Sequence, residues 1–227
     1  YKAYQVIRDP RSILSSFKKL TYSEGYDYLD IIFFWVDAIN YKLKYEKEYS
    51  SNRFITVKFE EIHKSPEISA KKLCQFANVD YDENMLNVDS WPLLINTKYN
   101  YVNVSAYSKK KVFGFSESRI SEWKNNLKEW EIVLVQYLLK DYLKMLGYEL
   151  VECNQKLLKK GLEILENSKT LKKNFLNFKK DNSGTNARSS DPTKPENWAA
   201  TDLSKNQKAK FIDTVDYENY IKELNEI

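Results

Sequence analysis

The chain has 227 residues, of which 42% are hydrophobic and 30% are charged, and its net charge is +4. This length and composition predict a globular protein with one sizeable core and room for an appendage. The small positive charge does not favour a nucleic-acid partner, and no apolar run reaches the roughly 20 residues that a membrane-spanning helix needs. Cys74 and Cys153 lie far apart without metal-ligand spacing, which favours two reduced thiols and a cytoplasmic location.

The first part of the chain predicts a strand followed by two helices. Residues 4–7 suit a buried strand, a helix runs from Pro10 to about Leu20, and a long helix follows from about Tyr26 to Glu48. In the long helix, apolar residues recur at helical spacing and predict one core-facing stripe: Leu29, Ile32, Val36, Ile39 and Leu43.

A second strand and helix follow. Residues 53–59 alternate as a strand, with Ile55, Val57 and Phe59 on one side. Ser65 then suits a helix cap and Pro66 the first helical position, and the inward residues of that helix are expected to be Leu73, Phe76 and Ala77. This alternation predicts an α/β layer with at least two parallel strands.

The remaining part of the first 150 residues is irregular and then helical. Residues 80–115 read as a long ordered loop region, and a short helix is expected in 118–127. Residues 129–146 predict a strong helix that ends at Gly147, a residue suited to a left-handed cap.

The composition changes after Leu150. Residues 151–180 contain eight Lys against three Glu and predict a basic helical extension with a solvated face. Residues 181–200 read as a linker, and 201–227 as a short amphipathic helix or tail. We therefore expect one domain over 1–150 and these three segments after it.

The segment VIRDPRSILSSF, residues 6–17, combines a turn with a possible anion site. Asp9 suits the cap of the following helix and Pro10 its first position. Arg8 at the strand end and Ser16 two turns into the helix are placed to face one anion, for which an arginine fork and a hydroxyl are suitable donors. The alternative is that Arg8 pairs with a surface carboxylate and the serines permit close helix packing.

This segment resembles the 3′-phosphate-binding segment of sulfotransferases that use 3′-phosphoadenosine 5′-phosphosulfate. Two further stretches resemble the same family in the same order: FITVKFEEIHKSPEISAKKLCQFANV (54–79) and SRISEWKNNLKEWEIVLVQYLLKDYLKMLGYEL (118–150). The resemblance covers about residues 4–150 and is greatest to the tyrosylprotein and bacterial branch. It implies a three-layer α/β fold with a parallel sheet, P-loop-like and N-terminally truncated, with a helical C-terminal extension.

The resemblance also implies which residues bind the nucleotide. Arg8 and Ser16 fall at the 3′-phosphate positions, and Phe59 falls where many relatives have a tyrosine near the nucleotide, although a core-strand role is an equal alternative. Ser105 lies in a stretch that matches a loop over the nucleotide, with a plain surface loop as its alternative. Arg119 is a further basic candidate just before the tryptophan-containing helix.

Two functional parts are expected outside the chain. The family's strand–RSGT–helix segment, which holds the 5′-phosphosulfate, and its general base are expected before Tyr1, so we expect the chain alone to be inactive. The letters SGT at 183–185 read as linker. His63, the single histidine, is expected to be exposed on a loop, and Trp123 is expected in the core. No cluster has metal-ligand spacing, and the resemblance implies no metal.

The leading hypothesis is therefore a sulfotransferase that transfers a sulfuryl group to a hydroxyl or amine acceptor, and a small molecule, a glycan and a peptide are all open as that acceptor. One alternative is a non-catalytic nucleotide-binding or scaffold remnant of the same fold. Another is a P-loop kinase, although a Walker-type lysine and a magnesium-binding residue are not seen in the sequence.

Overall fold

The computed structural model describes residues 2–20, 25–87 and 114–185. The strands in these ranges are β1 (Ala3–Ile7) and β2 (Phe54–Lys58). The helices before residue 88 are α1 (Pro10–Leu20), α2 (Ile31–Glu48), α3 (Phe59–Lys64) and α4 (Pro66–Ala77). Those after residue 113 are α5 (Ser118–Ser121), α6 (Trp123–Asn126), α7 (Glu129–Leu138), α8 (Lys140–Met145), α9 (Gln155–Asn167) and α10 (Leu171–Asp181). Within the same ranges, short 3-10 helices span Asp27–Asp30 and Glu83–Leu86.

The two strands pair in parallel, with a register that runs from Ala3 opposite Phe54 to Ile7 opposite Lys58. A parallel pair needs a long crossover, and α1 and α2 supply it. The predicted α/β fold with parallel strands is confirmed. Because both strands end at the same edge of the sheet, the residues that follow them, Arg8 and Phe59, are brought to one edge.

The turn between β1 and α1 is built as the sequence predicts. The Asp9 carboxylate accepts the backbone N–H of Arg11 at 2.9 Å, and Pro10 is the first helical residue. Arg11 also forms a buried ion pair with Asp9, with 2.7 Å between Nη2 and Oδ2. Its guanidinium lies 4.2 Å from the centre of the Trp123 ring. The cap and the stacked arginine together fix the direction in which the chain leaves β1.

The apolar stripe predicted for the long helix over 26–48 is confirmed except at its end, and its first member, Leu29, lies in the 3-10 helix before α2. The first four predicted positions are almost fully buried: Leu29, Ile32, Val36 and Ile39. Leu43, predicted to lie in the stripe, is instead 37% exposed, and Lys42 and Tyr45 are buried in its place. The shift follows from packing against the start of β2, where the Tyr45 ring lies 5.4 Å from the ring of Phe54.

The second strand ends one residue earlier than predicted. Lys58 is the last residue of β2, and Phe59 opens α3 rather than continuing the strand. Glu60 and Glu61 occupy the first turn of α3, where negative charge interacts favourably with the helix dipole. The prediction that Phe59 belongs to the strand is therefore wrong, although the residue stays at the edge of the sheet.

Helix α4 begins at Pro66 as predicted, but the Ser65 side chain makes no capping hydrogen bond. Its buried residues are Ser69 and Cys74, whereas the predicted inward Ala77 is exposed. Leu73 and Phe76 are half-buried, so the prediction is wrong at Ala77. The buried Ser69 and Cys74 were missed because a single cysteine and serine carry little hydropathy signal.

Each of the two helices predicted over 118–146 is broken into two shorter helices. The short helix expected in 118–127 is two successive turns, α5 and α6, and Trp123 is 4% exposed, which confirms its place in the core. The strong helix expected over 129–146 is interrupted at Leu139 and becomes α7 and α8. Gly147 has a φ of +70°, which confirms the left-handed cap.

Helices α9 and α10 contribute to the same hydrophobic core as the first 150 residues. Leu158, Leu165 and Phe175 are buried in the cluster that also contains Phe33 and Leu134. A Cβ atom at Gly161 would lie 3.0 Å from Cβ of Leu134, so the absence of a side chain lets α9 approach α7 closely.

The chain beyond α10 continues along α2. The backbone N–H and the hydroxyl of Thr185 both donate to the Asp37 carboxylate, at 2.9 and 2.8 Å. None of the helices within the described ranges has the length and apolar character that a membrane crossing requires.

Candidate anion-binding site

Arg8 lies directly after β1, and its backbone and side chain are both held in place. The indole N–H of Trp35 donates to the Arg8 carbonyl at 2.9 Å. The guanidinium donates through Nη2 to the carbonyl of Arg119 at 3.1 Å and lies 4.1 Å from the centre of the Phe59 ring. The side chain is half-buried. The plane of the guanidinium is therefore fixed by an aromatic ring on one face and a carbonyl at one edge.

The guanidinium of Arg8 has donor capacity left over. Its Nε is buried and has no hydrogen-bond partner among the residues that the structure describes, and no carboxylate of those residues lies within ion-pair distance. The predicted alternative, in which Arg8 pairs with a surface carboxylate, therefore has no support in the described ranges. A buried, unpaired donor is costly, and an anion at this position would satisfy it.

The electrostatic surroundings of Arg8 combine burial with nearby charges of both signs. Burial lowers the pKa of Arg8, and the charges of Glu60, Glu122 and Asp9 oppose that shift. A guanidinium remains protonated in proteins. Arg8 is therefore a partly desolvated cation, which strengthens its interaction with an anion relative to an exposed arginine.

The serines of α1 differ in burial. Ser12 and Ser15 are buried, and the Ser12 hydroxyl donates to the carbonyl of Ile120 at 3.2 Å. The burial of these two serines fits the alternative prediction, in which small serine side chains permit close packing of the helix. Ser16, the predicted ligand, is half-buried on the same helix. Its assignment to the anion site stays a prediction.

Phe59 and His63 form an aromatic pair beside Arg8. Their ring centres lie 4.3 Å apart, and the ring of Phe115 lies 6.0 Å from that of His63. The imidazole Nδ1 accepts the backbone N–H of Ser116 at 2.9 Å. His63 is therefore half-buried on α3 rather than exposed on a loop, and the sequence-based prediction for it is wrong. The partner is 53 residues away, which no local pattern reveals.

The other two predicted nucleotide ligands differ in what the structure shows. Arg119 lies on α5, half-buried, and its carbonyl accepts the hydrogen bond from Arg8. Arg8, Phe59 and Arg119 are thus brought together from three separate parts of the chain. Ser105 lies outside the described residues.

A network of hydrogen bonds supports the turn that carries Arg8. Glu60 is buried, and its carboxylate accepts the backbone N–H of Asp9 at 2.9 Å and the hydroxyl of Tyr148 at 3.2 Å. Burial and then the charge of Glu60 raise the pKa of Tyr148, so its hydroxyl stays protonated and donates. The three sequence segments that carried the family resemblance meet at this network.

A cavity of about 410 Å³ lies next to this network and not at Arg8. Its walls include Asp9, Arg11 and Trp123, but neither Arg8 nor Ser16. Its charged lining residues are balanced, with four cations against four carboxylates: Arg11, Lys58, Lys64 and Lys124 against Asp9, Glu60, Glu61 and Glu149. A cavity with this balance does not select an anion. Among the described residues, no group of three or more His, Cys, Asp and Glu is arranged to hold a metal ion.

Comparison with known proteins agrees with the fold. Residues 4–83 match the model of the sulfotransferase family. The sulfotransferase domain of the Synechococcus PCC 7002 olefin synthase is similar in structure, with a TM-score of 0.52 and 19% identity, over 66% of this chain and 50% of that domain. The sulfotransferase domain from the curacin biosynthetic pathway has a TM-score of 0.46 and 19% identity, over 66% of this chain and 54% of that domain. No curated protein gives a significant match.

These findings confirm the resemblance and the fold. The matched region of the family model contains Arg8, Ser16 and Phe59, and the described residues have the fold of a sulfotransferase domain. The chain spans about half the length of the solved sulfotransferase domains that it matches.

Proposed function

We propose that the chain carries the 3′-phosphate site of a sulfotransferase whose donor is 3′-phosphoadenosine 5′-phosphosulfate. The proposal rests mainly on the surroundings of one residue, Arg8. It is a half-buried guanidinium held by Phe59 and Arg119 with an unpaired buried Nε, inside the region that matches the sulfotransferase family. Such a group is prepared for an anion before the anion arrives.

Each proposed ligand has a separate role. Arg8 donates to two phosphate oxygens through its fork, and Ser16 supplies one further donor from α1. Arg119 adds positive charge from α5, and Phe59 keeps the plane of the Arg8 guanidinium fixed. Ser105 is proposed as an additional hydroxyl donor.

The proposed reaction is transfer of a sulfuryl group to a hydroxyl or amine acceptor. The acceptor atom attacks the sulfur, the bond from sulfur to the bridging phosphate oxygen breaks, and adenosine 3′,5′-bisphosphate leaves with that electron pair. The proton of the acceptor passes to a base. Residues of the proposed site act on the 3′-phosphate end of the donor, so they align the nucleotide for in-line displacement and also hold the product.

The proposal is tested by nucleotide affinity. We expect Arg8→Ala to weaken adenosine 3′,5′-bisphosphate binding by roughly 1.5–3 kcal/mol, the typical value for loss of a hydrogen bond to a charged group. Isothermal titration calorimetry on the chain measures this change, with circular dichroism to show that the fold is kept.

Arg53→Ala is the matched control. Arg53 is exposed and precedes β2, at the opposite end of the strand from Phe59, so its loss is expected to leave the affinity unchanged. Equal affinity of the parent chain and the Arg8 variant would contradict the proposed site.

A further inference from the structure

The segment from Ser116 to Arg119 reaches the anion site through two hydrogen bonds. At its first residue, the Ser116 N–H donates to Nδ1 of His63 at 2.9 Å. At its last residue, the Arg119 carbonyl accepts from Nη2 of Arg8 at 3.1 Å. The position of Arg119 relative to Arg8 therefore depends on both hydrogen bonds. Among the described residues, the His63 imidazole is hydrogen-bonded to neither arginine and acts through Ser116.

The Ser116 hydrogen bond fixes the protonation state of the imidazole. An N–H donor needs an unprotonated nitrogen as its acceptor, so Nδ1 carries no proton and the neutral ring carries its proton on Nε2. A doubly protonated imidazole has no acceptor left, and it cannot keep this bond. The anchor is therefore available only to the neutral ring.

The charges around the imidazole also favour the neutral ring. Burial lowers the pKa of His63, and the charges of Arg119 and Arg8 lower it further. Arg8 stands at the end of β1 and Arg119 on α5. On the histidine's own helix, the Glu60 carboxylate is engaged by the Asp9 N–H and the Tyr148 hydroxyl. On α4, the Glu67 carboxylate is paired with Lys71 at 2.6 Å.

We propose that His63 is a positioning residue for the anion site: its Nδ1 holds Ser116, and this anchor places Arg119 against Arg8. The inference rests on the proposed function of that site. Without the anchor, the Ser116 N–H loses its partner, and the segment is free to move away from Arg8. The affinity for a phosphate anion falls because the site must then be ordered when the anion binds.

Two substitutions separate the acceptor from the aromatic ring. His63→Asn keeps an acceptor oxygen at the position of Nδ1 and loses the ring. His63→Phe keeps a ring against Phe59 and loses the acceptor. We expect His63→Asn to bind adenosine 3′,5′-bisphosphate as the parent chain does. We expect His63→Phe to bind roughly three- to tenfold more weakly, the range that corresponds to one net hydrogen bond.

A second measurement does not depend on the nucleotide. In ¹⁵N-resolved NMR spectra of the chain, the Ser116 amide is expected to shift as the pH falls from about 8 to about 5, because the ring takes a proton and the bond breaks. In His63→Asn the same amide is expected to keep its position, since an amide side chain does not titrate there.

The outcomes distinguish this inference from the proposed function. Weaker binding by His63→Phe, near-parent binding by His63→Asn and a titrating Ser116 amide support the inference, and any other combination overturns it. Loss of binding in Arg8→Ala alone, with both His63 variants unchanged, overturns the inference and leaves the proposed function in place. Equal binding by the parent chain and Arg8→Ala overturns the proposed function and, with it, the assignment of His63 to that site.

Discussion

At the scale of single residues, the site depends on one arginine whose surroundings leave it incompletely paired. The position of Arg8 at the end of a strand and the Asp9–Pro10 turn after it are predictable from local sequence, because caps and proline act within a few residues. The Phe59 ring and the Arg119 carbonyl that hold the guanidinium come from distant parts of the chain. Local patterns contain no information about such contacts.

His63 gives a stability prediction whose sign follows from its pKa. Burial and the two arginines hold the folded-state pKa of His63 below its ordinary value of about 6.5. As the pH falls through about 6.5, the unfolded chain takes up a proton before the folded chain does. We therefore expect the free energy of unfolding to decrease as the pH decreases through this window.

His63→Asn is the reference for this measurement, since it lacks the titrating group and keeps all the carboxylates. The free energy of unfolding of the parent chain minus that of the variant, from urea denaturation, is expected to be smaller at pH 5.5 than at pH 7.5. A constant difference, or one that grows toward acid pH, would contradict the burial of a neutral imidazole.

At the scale of secondary-structure elements, Glu60 joins three of them. From the first turn of α3, it accepts the N–H of Asp9 at the start of α1 and the hydroxyl of Tyr148 after α8. This network connects three segments that lie far apart in the sequence, and each of them carries part of the family resemblance. Each supplies a part of the support beneath the turn that carries Arg8.

Glu60→Ala is expected to destabilise the chain by about 2–4 kcal/mol, since the buried N–H of Asp9 and the half-buried hydroxyl of Tyr148 both lose their charged acceptor. Glu61→Ala is the matched control, because Glu61 is the next residue on α3 and is exposed; a change within about 0.5 kcal/mol is expected there. Thermal and urea denaturation measure both. If the two variants lose the same stability, the network does not support the turn.

The boundaries of elements show where sequence reasoning succeeds and where it does not. Helix α1 begins where the local pattern predicts, because a cap and a proline define its start. The early end of β2 and the break at Leu139 between α7 and α8 were not predicted. No glycine or proline marks either position, so the outcome is decided by packing with other parts of the chain.

At the scale of the whole molecule, the two lysine-rich helices share the core with the parallel sheet and its helices. Leu165 on α9 is completely buried, and Gly161 on the same helix allows close contact with α7. The composition of 151–180 predicts helices with a basic face in contact with solvent. In the structure, the apolar residues on the other face of these helices are buried against the rest of the described chain.

Leu165→Ala is therefore expected to destabilise the whole described unit by about 2–5 kcal/mol, the range for a buried leucine. The measurement is urea denaturation followed by tryptophan fluorescence, to which Trp35 and Trp123 contribute from outside α9. Leu176→Ala, at a residue 49% exposed on α10, is expected to change the stability by no more than about 0.5 kcal/mol. An unchanged midpoint for Leu165→Ala would show that α9 is not part of the cooperative core.

Recognition of a 3′-phosphate by Arg8 is measured by comparing the binding of two nucleotides. Adenosine 3′,5′-bisphosphate and adenosine 5′-monophosphate differ only in that group. We predict by calorimetry that the parent chain binds the bisphosphate more tightly and that Arg8→Ala removes most of this preference while Arg53→Ala keeps it. Equal affinity of the parent chain for the two nucleotides, or a preference that survives in Arg8→Ala, would show that Arg8 does not recognise the 3′-phosphate.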